Sequence, residues 1–256
     1  MIRIGTSGYH FPDWVGPFYP EGMRRNDWLA YYAQHFPIVE VNSTYYGIPK
    51  PKVFLEMAKK TPDAFEFLVK LHASQTHTRE SVRENTALLV DAVAPLVEAR
   101  KFGGFLGQFP WAFRESPANW EYLSELRAMF PDDTAFYAEF RHDSWIVEAT
   151  FARLRALKIG YCSVDEPPLR GLVPPVARAT ASAGYVRFHG RNAGAWWGGN
   201  NVSRYDYTYT EDELREWVER VRALSKDTEK VYVFFNNCHD GKAVIGARMM
   251  AELLSA

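Results

Sequence analysis

Cysteine is almost absent: only Cys162 and Cys238 occur in 256 residues. They lie far apart and outside any metal-ligand spacing, which excludes a disulfide framework or a zinc knuckle as the organising device and leaves two reduced, structural thiols. Long hydrophobic runs are also missing, none approaching the ~20 apolar residues of a membrane span. The opening MIRIGTSG enters a strand-like run with no charged segment followed by an apolar one, so a cytoplasmic location is expected. Neither sign of charge dominates, with 30 Lys and Arg against 31 Asp and Glu. Such a balance gives no global attraction to nucleic acid or an anionic membrane, and a polyanion would need a local basic patch. No flexible linker or composition shift divides residues 1–256, so one domain is expected.

What is present is enough apolar material for a sizeable core, at 47% hydrophobic and 24% charged residues, which argues against disorder. Short runs rich in Val, Ile, Phe and Tyr alternate with helical patterns, the signature of repeated βα units. Strands are predicted at Ile2–Ser7, Ile38–Asn42, Phe65–Lys70, Gly103–Phe109, Ala135–Arg141, Ile159–Asp165, Gly184–His189 and Val231–Asn236. Apolar residues at three- and four-residue spacing predict helices over Asn26–His35, Pro51–Lys60, Ser81–Ala99, Ala118–Met129, Trp145–Leu157, Glu211–Ser225 and Lys242–Leu254. Pro51 at a first turn, Ser144 before Trp145, and Thr210 ahead of three acids are helix-start signals. Only the sixth crossover, Pro167–Ala183 with its four prolines, lacks a helical pattern. Eight units of roughly 30 residues predict a TIM-type (β/α)8 barrel with long first and seventh βα loops and an irregular sixth crossover. An open doubly wound sheet is the alternative.

Alternate residues of each barrel strand face inward, and the last inward positions face the C-terminal mouth, where barrel enzymes place their chemistry. That parity selects Ser7, Glu40, Asn42, Lys70, Gln108, Glu139, Arg141, Asp165, Arg187, His189 and Asn236. An unpartnered buried polar group costs roughly 1–3 kcal/mol, so so many strand-end polar residues point to a functional mouth. Glu139 in AEFRHDSW could be a general acid, general base or metal ligand, with Arg141 and His142 beside it to hold an anion. A register-fixing ion pair is the structural alternative. Lys70, following apolar residues in FLVKLH, could be a fixed cation, a Schiff-base nucleophile, or the partner of Glu40 or Glu139. Glu40, Glu139, Asp165 and His189 together would suit a divalent metal, although no H-E-x-x-H spacing supports one. The same carboxylates could form a glycosidase pair.

Two loops add aromatic residues to the mouth. Gly8–Arg25 carries Tyr9, His10, Phe11, Trp14, Phe18 and Tyr19. Gly190–Thr210 carries Arg191, Asn192, Trp196, Trp197, Arg204, Tyr205, Tyr207 and Tyr209. Such rings can stack on sugars or bases while arginines bind phosphate, and Gly198 and Gly199 would let the second loop move as a lid. Packing of the rings onto the rim is the plainer reading. In FFNNCHDGKA, Asn236, Asn237 and His239 precede a Gly-containing helix entry, a common phosphate position in barrels, although a plain helix cap by Asp240 explains part of the pattern equally well.

The segments IGTSGYHFPDW with PFYP, VEVNSTYYGIPK, FLVKLH, GQFP, AEFRHDSW, YVRFHG and VYVFFNNCHDGKA resemble, in order and over nearly the whole chain, the successive motifs of the DUF72 or YecE-like family. The resemblance implies a TIM barrel and no particular reaction. Phe188 stands where the family's RLHG motif more commonly has leucine, a change expected to affect packing. The leading expectation is an enzyme hydrolysing or isomerising a phosphorylated or sugar-containing substrate. In it, Glu139 is the acid/base, Lys70, Arg141 and Arg187 stabilise negative charge, and His189 or Asp165 assists proton transfer, with a divalent ion if phosphoester chemistry is used. The alternatives are a non-catalytic nucleic-acid-binding protein using Arg191 and Arg204, and an anion-sensing or scaffolding barrel.

Overall fold

The computed structural model describes residues 1–199 and 201–255; Asn200, in the expected lid loop, and Ala256 lie outside them. Eight parallel strands close into a barrel in sequence order: β1 (Ile2–Ser7), β2 (Ile38–Val41), β3 (Glu66–Lys70), β4 (Phe102–Gln108), β5 (Phe136–Glu139), β6 (Ile159–Asp165), β7 (Ala183–Phe188) and β8 (Lys230–Phe235). β8 pairs with β1 from Ile2↔Val231 to Thr6↔Phe235 and so closes the ring. The helices are α1 (Trp28–His35), α2 (Pro51–Lys59), α3 (Ala73–Thr76), α4 (Val82–Glu98), α5 (Pro117–Ala128), α6 (Glu148–Ala156), α7 (Asn201–Tyr205), α8 (Glu211–Asp227) and α9 (Lys242–Ser255). No helix among the described residues is long and apolar enough to cross a membrane.

Local chemistry sets most of the boundaries. Pro51 opens α2 at its first turn, and a reciprocal Thr210–Glu213 capping box opens α8, satisfying backbone donors that have no helical partner. Behind Ser144 the helix is delayed, because residues 143–145 form a 3-10 turn capped by His142 and α6 begins at Glu148. Lys101, buried beneath α2, donates from Nζ to the carbonyls of Ala58 and Thr61 at 2.7 Å each and so caps the helix C-terminal end. The proline-rich sixth crossover, 166–182, carries no helix.

The barrel interior is layered. At the N-terminal end Glu66 collects Arg3 (2.8 Å), Lys230 (2.6 Å) and the Tyr232 hydroxyl (2.5 Å). Above lies a plug of Ile38, Leu68, Leu106, Tyr137, Cys162, Val164, Tyr185, Tyr232 and Phe234. Gly160 makes room for it, since a Cβ there would lie 2.4 Å from the Tyr137 ring. A charged layer then closes the C-terminal end.

In β6 the expected parity is reversed. Cys162 and Val164 join the interior plug, and Val164 pairs with inward-facing Arg187, so Asp165 faces the outer helices and Glu166 is the next inward residue. A strand buried on both faces shows no apolar–polar alternation from which facing could be counted.

Candidate functional site

Arg187, at the end of β7 and 1% exposed, is the hub of the charged layer. Its Nη1 lies 2.5 Å from Glu139 Oε2 and its Nη2 lies 2.7 Å from Glu40 Oε1. Nη2 also reaches Asn236 Oδ1 at 3.2 Å and Ser7 Oγ at 3.4 Å. Tyr185 donates its hydroxyl to the other Glu40 oxygen at 2.6 Å. A guanidinium thus fills the space between two of the carboxylates that were candidate metal ligands.

The second Glu139 oxygen faces Arg141 Nε at 2.6 Å and His189 Nε2 at 3.2 Å. Burial raises the Glu139 carboxyl, but Arg141 and Arg187 overcome it and hold the group well below the usual carboxylate range. His189 is driven down to about 3 by burial and by Arg141, so its ring is neutral. Its Nδ1 meets the Asn236 side-chain amide at 3.1 Å, while Asn236 Oδ1 accepts from Arg187. With the amide nitrogen donating to Nδ1, the ring proton sits on Nε2, near Glu139 but outside hydrogen-bond alignment with it.

Arg141 extends to Glu166 Oε2 at 2.9 Å, and Glu166 Oε1 accepts the Val173 N–H at 3.0 Å. Glu166 is pushed up to about 7, first by burial and then by Glu139, against the pull of Arg141.

Above this layer opens a cleft of about 890 Å³, whose floor and sides include Ser7, Asn42, Lys70, Gln108, Arg141, Arg187 and Asn236. Lys70 donates to Gln108 Oε1 at 3.1 Å and sits 4.6 Å from the Tyr45 ring centroid. Among the described residues it has no carboxylate partner. Burial and the Arg187 charge lower its ammonium to about 8. Tyr9, Phe11, Tyr45, Tyr46, Trp111, Trp196, Trp197 and Tyr205 form the walls, with Arg204 and His77 between them. Glu40, Glu139, Glu166 and His189 do not line the cleft; the carboxylates lie beneath the cations and the cations face the void.

A family model described as "Protein of unknown function DUF72" matches residues 3–256. The chain belongs to the DUF72 family. It is 33% identical to UPF0759 protein YunF of Bacillus subtilis over 271 aligned positions, covering 99% of this chain and 95% of YunF. It is 33% identical to UPF0759 protein YecE of Escherichia coli K12 over 58% of this chain and 51% of YecE. A DUF72 protein of Thermotoga maritima superposes with a TM-score of 0.92 at 40% identity, each chain fully covered. One of Enterococcus faecalis gives 0.89 at 28%, covering 100% and 96%. The structure of SacUVDE, at 0.58 and 11% identity over 90% and 86%, shares the fold alone.

In this DUF72 barrel several expected site residues hold the frame instead of facing the cleft. Asp165 accepts from Arg191 Nη2 (2.7 Å), the Tyr209 hydroxyl (2.6 Å) and Trp217 Nε1 (2.6 Å). Every lone-pair direction is engaged behind the barrel wall, which leaves no room for catalysis or a metal. Arg191 is spent on Asp165 and on Glu216 at 2.9 Å and is not offered to a ligand. His142 accepts the Ser144 N–H at 3.1 Å, and Asn237 ties its amide to the Tyr207 carbonyl at 2.8 Å. His239 reaches the cleft rim but faces Asp13 at 3.4 Å. The helix entry expected to bind phosphate is already filled, because Asp13 Oδ2 takes the Asp240 N–H at 2.8 Å. Asp13, His239 and Asp240 are the three groups, among those described, close enough to share a metal ion. The expected set of Glu40, Glu139, Asp165 and His189 is not brought together around one point.

The first loop divides likewise. Trp14, Phe18 and Tyr19 are buried, with Tyr19 stacked on Trp28 at 4.7 Å and 5°, whereas Gly8, Tyr9, His10, Phe11 and Asp13 reach the cleft. Sequence reasoning missed Glu166, Tyr45, His77 and Trp111. The adjacent acids in VDEP were a signal for Glu166. Tyr45 sits in the quoted VEVNSTYYGIPK, directly past the expected strand end. Trp111 follows GQFP in the same way.

Proposed function

We propose that this DUF72 barrel is an enzyme acting on a phosphorylated, ring-bearing small molecule, with the anionic group seated on the cleft floor and the ring against the aromatic wall. The carrying observation is Lys70, a cation that faces the cleft without a carboxylate partner, beside Arg141 and Arg187. An anion placed there gains charge-assisted hydrogen bonds and relieves the crowding of three cations. The cleft volume of about 890 Å³ falls within the range of small-molecule sites, roughly 300–1,000 Å³. Tyr45, Trp111 and Trp196 offer ring faces for a sugar or base.

Glu139, locked to two arginines and shielded from the cleft, is read as the fixed counter-ion that orients them. Lys70, titrating near neutrality, is the group suited to move a proton or balance developing charge during hydrolysis or isomerisation. Nucleic-acid binding is the less favoured reading: Arg191 is consumed internally, which leaves Arg204 with the exposed rims of Trp197 and Tyr46.

A panel of sugar phosphates and nucleotides, assayed for phosphate release and for isomerised product, tests the reading. Turnover of a phosphorylated compound that drops at least about tenfold in Lys70→Met, one such hydrogen bond being worth roughly 1.5–3 kcal/mol, is the expected result. Turnover indifferent to Lys70 would overturn it.

A further inference from the structure

The lysines of this chain are otherwise provided with partners wherever they are shielded. Lys101 has two carbonyls and the Thr61 hydroxyl, Lys230 has Glu66, and Lys242 has Asp206. Lys70 alone of these four has one neutral acceptor. Gln108 Oε1 is itself fixed, because Gln108 donates from Nε2 to the Phe109 carbonyl at 3.0 Å. The Tyr45 face limits the amine on another side. The amine is therefore held at one point of the cleft floor by weak, easily exchanged contacts. Arg141 and Arg187 already provide permanent positive charge for an anion at that floor, so a third cation that can lose its proton adds something different.

We infer that Lys70 is a carbonyl-capturing nucleophile, whose amine condenses with the aldehyde or ketone of an anionic ligand to form an imine. The inference rests on the anion-binding reading above and narrows it to phosphorylated or carboxylated carbonyl compounds. The uncharged amine's lone pair forms a bond to the carbonyl carbon as the C=O π pair moves to oxygen. The nitrogen gives up both of its protons in turn, the oxygen takes up two and leaves as water, and the C=N bond closes. Amine plus carbonyl becomes imine plus water, with no change of oxidation state, and hydrolysis reverses it.

Two features favour this chemistry at Lys70. Burial and the neighbouring Arg187 bring its ammonium down to about 8, so roughly a tenth of it is the free amine at pH 7, against less than a thousandth for a lysine at its usual value. His77 packs on the same Tyr45 ring at 5.1 Å and lines the same cleft. It is lowered to about 4 by burial and by Lys70 itself and is thus an uncharged imidazole able to relay the protons.

The test incubates the full chain with pyridoxal 5′-phosphate, and separately with benzaldehyde, adds borohydride, and locates the reduced adducts by peptide mass. Phosphate binding to untreated protein is measured alongside. Labelling of Lys70 at neutral pH roughly tenfold or more faster than the exposed lysines, with protection by inorganic phosphate, is the expected result. Lys70→Arg, checked for an unchanged melting transition, should abolish that adduct and leave the surface adducts in place. Phosphate binding together with Lys70 labelling no faster than the surface lysines overturns the inference while the anion-binding reading stands. Rapid labelling by both aldehydes with neither phosphate binding nor protection keeps the nucleophile and overturns the anion seat.

Discussion

Each charged side chain at the mouth is defined by what it can no longer do. Glu139 has neighbours on both oxygens and no exposure, so Glu139→Gln leaves Arg187 with Glu40 alone and Arg141 with Glu166 alone, two buried guanidiniums that have each lost a carboxylate. A loss of about 3–5 kcal/mol is expected, measured by urea unfolding; an unchanged midpoint would mean that the pair is solvated. Lys70 carries the opposite signature. Its folded value of about 8 lies below the unfolded one near 10.4, so the unfolded chain binds the extra proton between these values. Stability should rise, by about 1–3 kcal/mol, as pH climbs from 8 to 10.4, and Lys70→Met should remove that rise. His189 acts at the acid end. Its folded value of about 3 means stability is complete above pH 6.5 and is lost as pH falls from there toward 3. Glu166, raised to about 7, opposes it, since its contribution is present below its unfolded value near 4.3 and fades as pH rises through 7. Glu166→Gln should therefore steepen the net loss of stability between pH 6.5 and 4.5.

At the scale of elements, strand-end position was legible wherever the chain punctuates it. Lys70, Gln108, Arg187 and Asn236 all reach the cleft floor as counted. The count failed at Asp165 because β6 is covered on both faces and gives no alternation to read. It could not separate Trp196, on the cleft wall, from Trp14, sealed behind it with its indole N–H 2.6 Å from the Cys238 carbonyl, because a loop's packing depends on partners far away in sequence. The same physics makes Asp165 an anchor: it ties β6 to Arg191 and Tyr209, at either end of the seventh loop, and to Trp217 of α8. Asp165→Asn should lower stability by about 2–4 kcal/mol through loss of charged hydrogen bonds. Arg191→Ala should leave phosphate affinity within about twofold, since a side chain that does not face the ligand contributes little to its binding. A large affinity loss in Arg191→Ala would return that arginine to the site. Gly190 fixes the start of this loop, with φ +86° and a Cβ position only 2.6 Å from Tyr207. Phe188 stacks on Phe235 at 4.6 Å and 7°, a packing role outside the cleft.

For the whole molecule, the eightfold recurrence of strand and helix patterns made the barrel readable, and the order of motifs made the family so. The reaction was not readable, because a barrel's chemistry depends on which strand-end groups meet across the mouth, and here a guanidinium lies between two of the carboxylates that had offered one possible metal site. The result is a floor of cations above buried carboxylates. Titration calorimetry of inorganic phosphate into wild type and Lys70→Met at pH 8, in buffers of different ionisation enthalpy, tests this most directly. Wild type should bind with uptake of a fraction of a proton, as the anion draws Lys70 back to its charged form, and Lys70→Met should bind at least about tenfold more weakly with no such uptake. Equal affinity in the two proteins, or binding with no proton uptake in wild type, would contradict an anion seat built on Lys70.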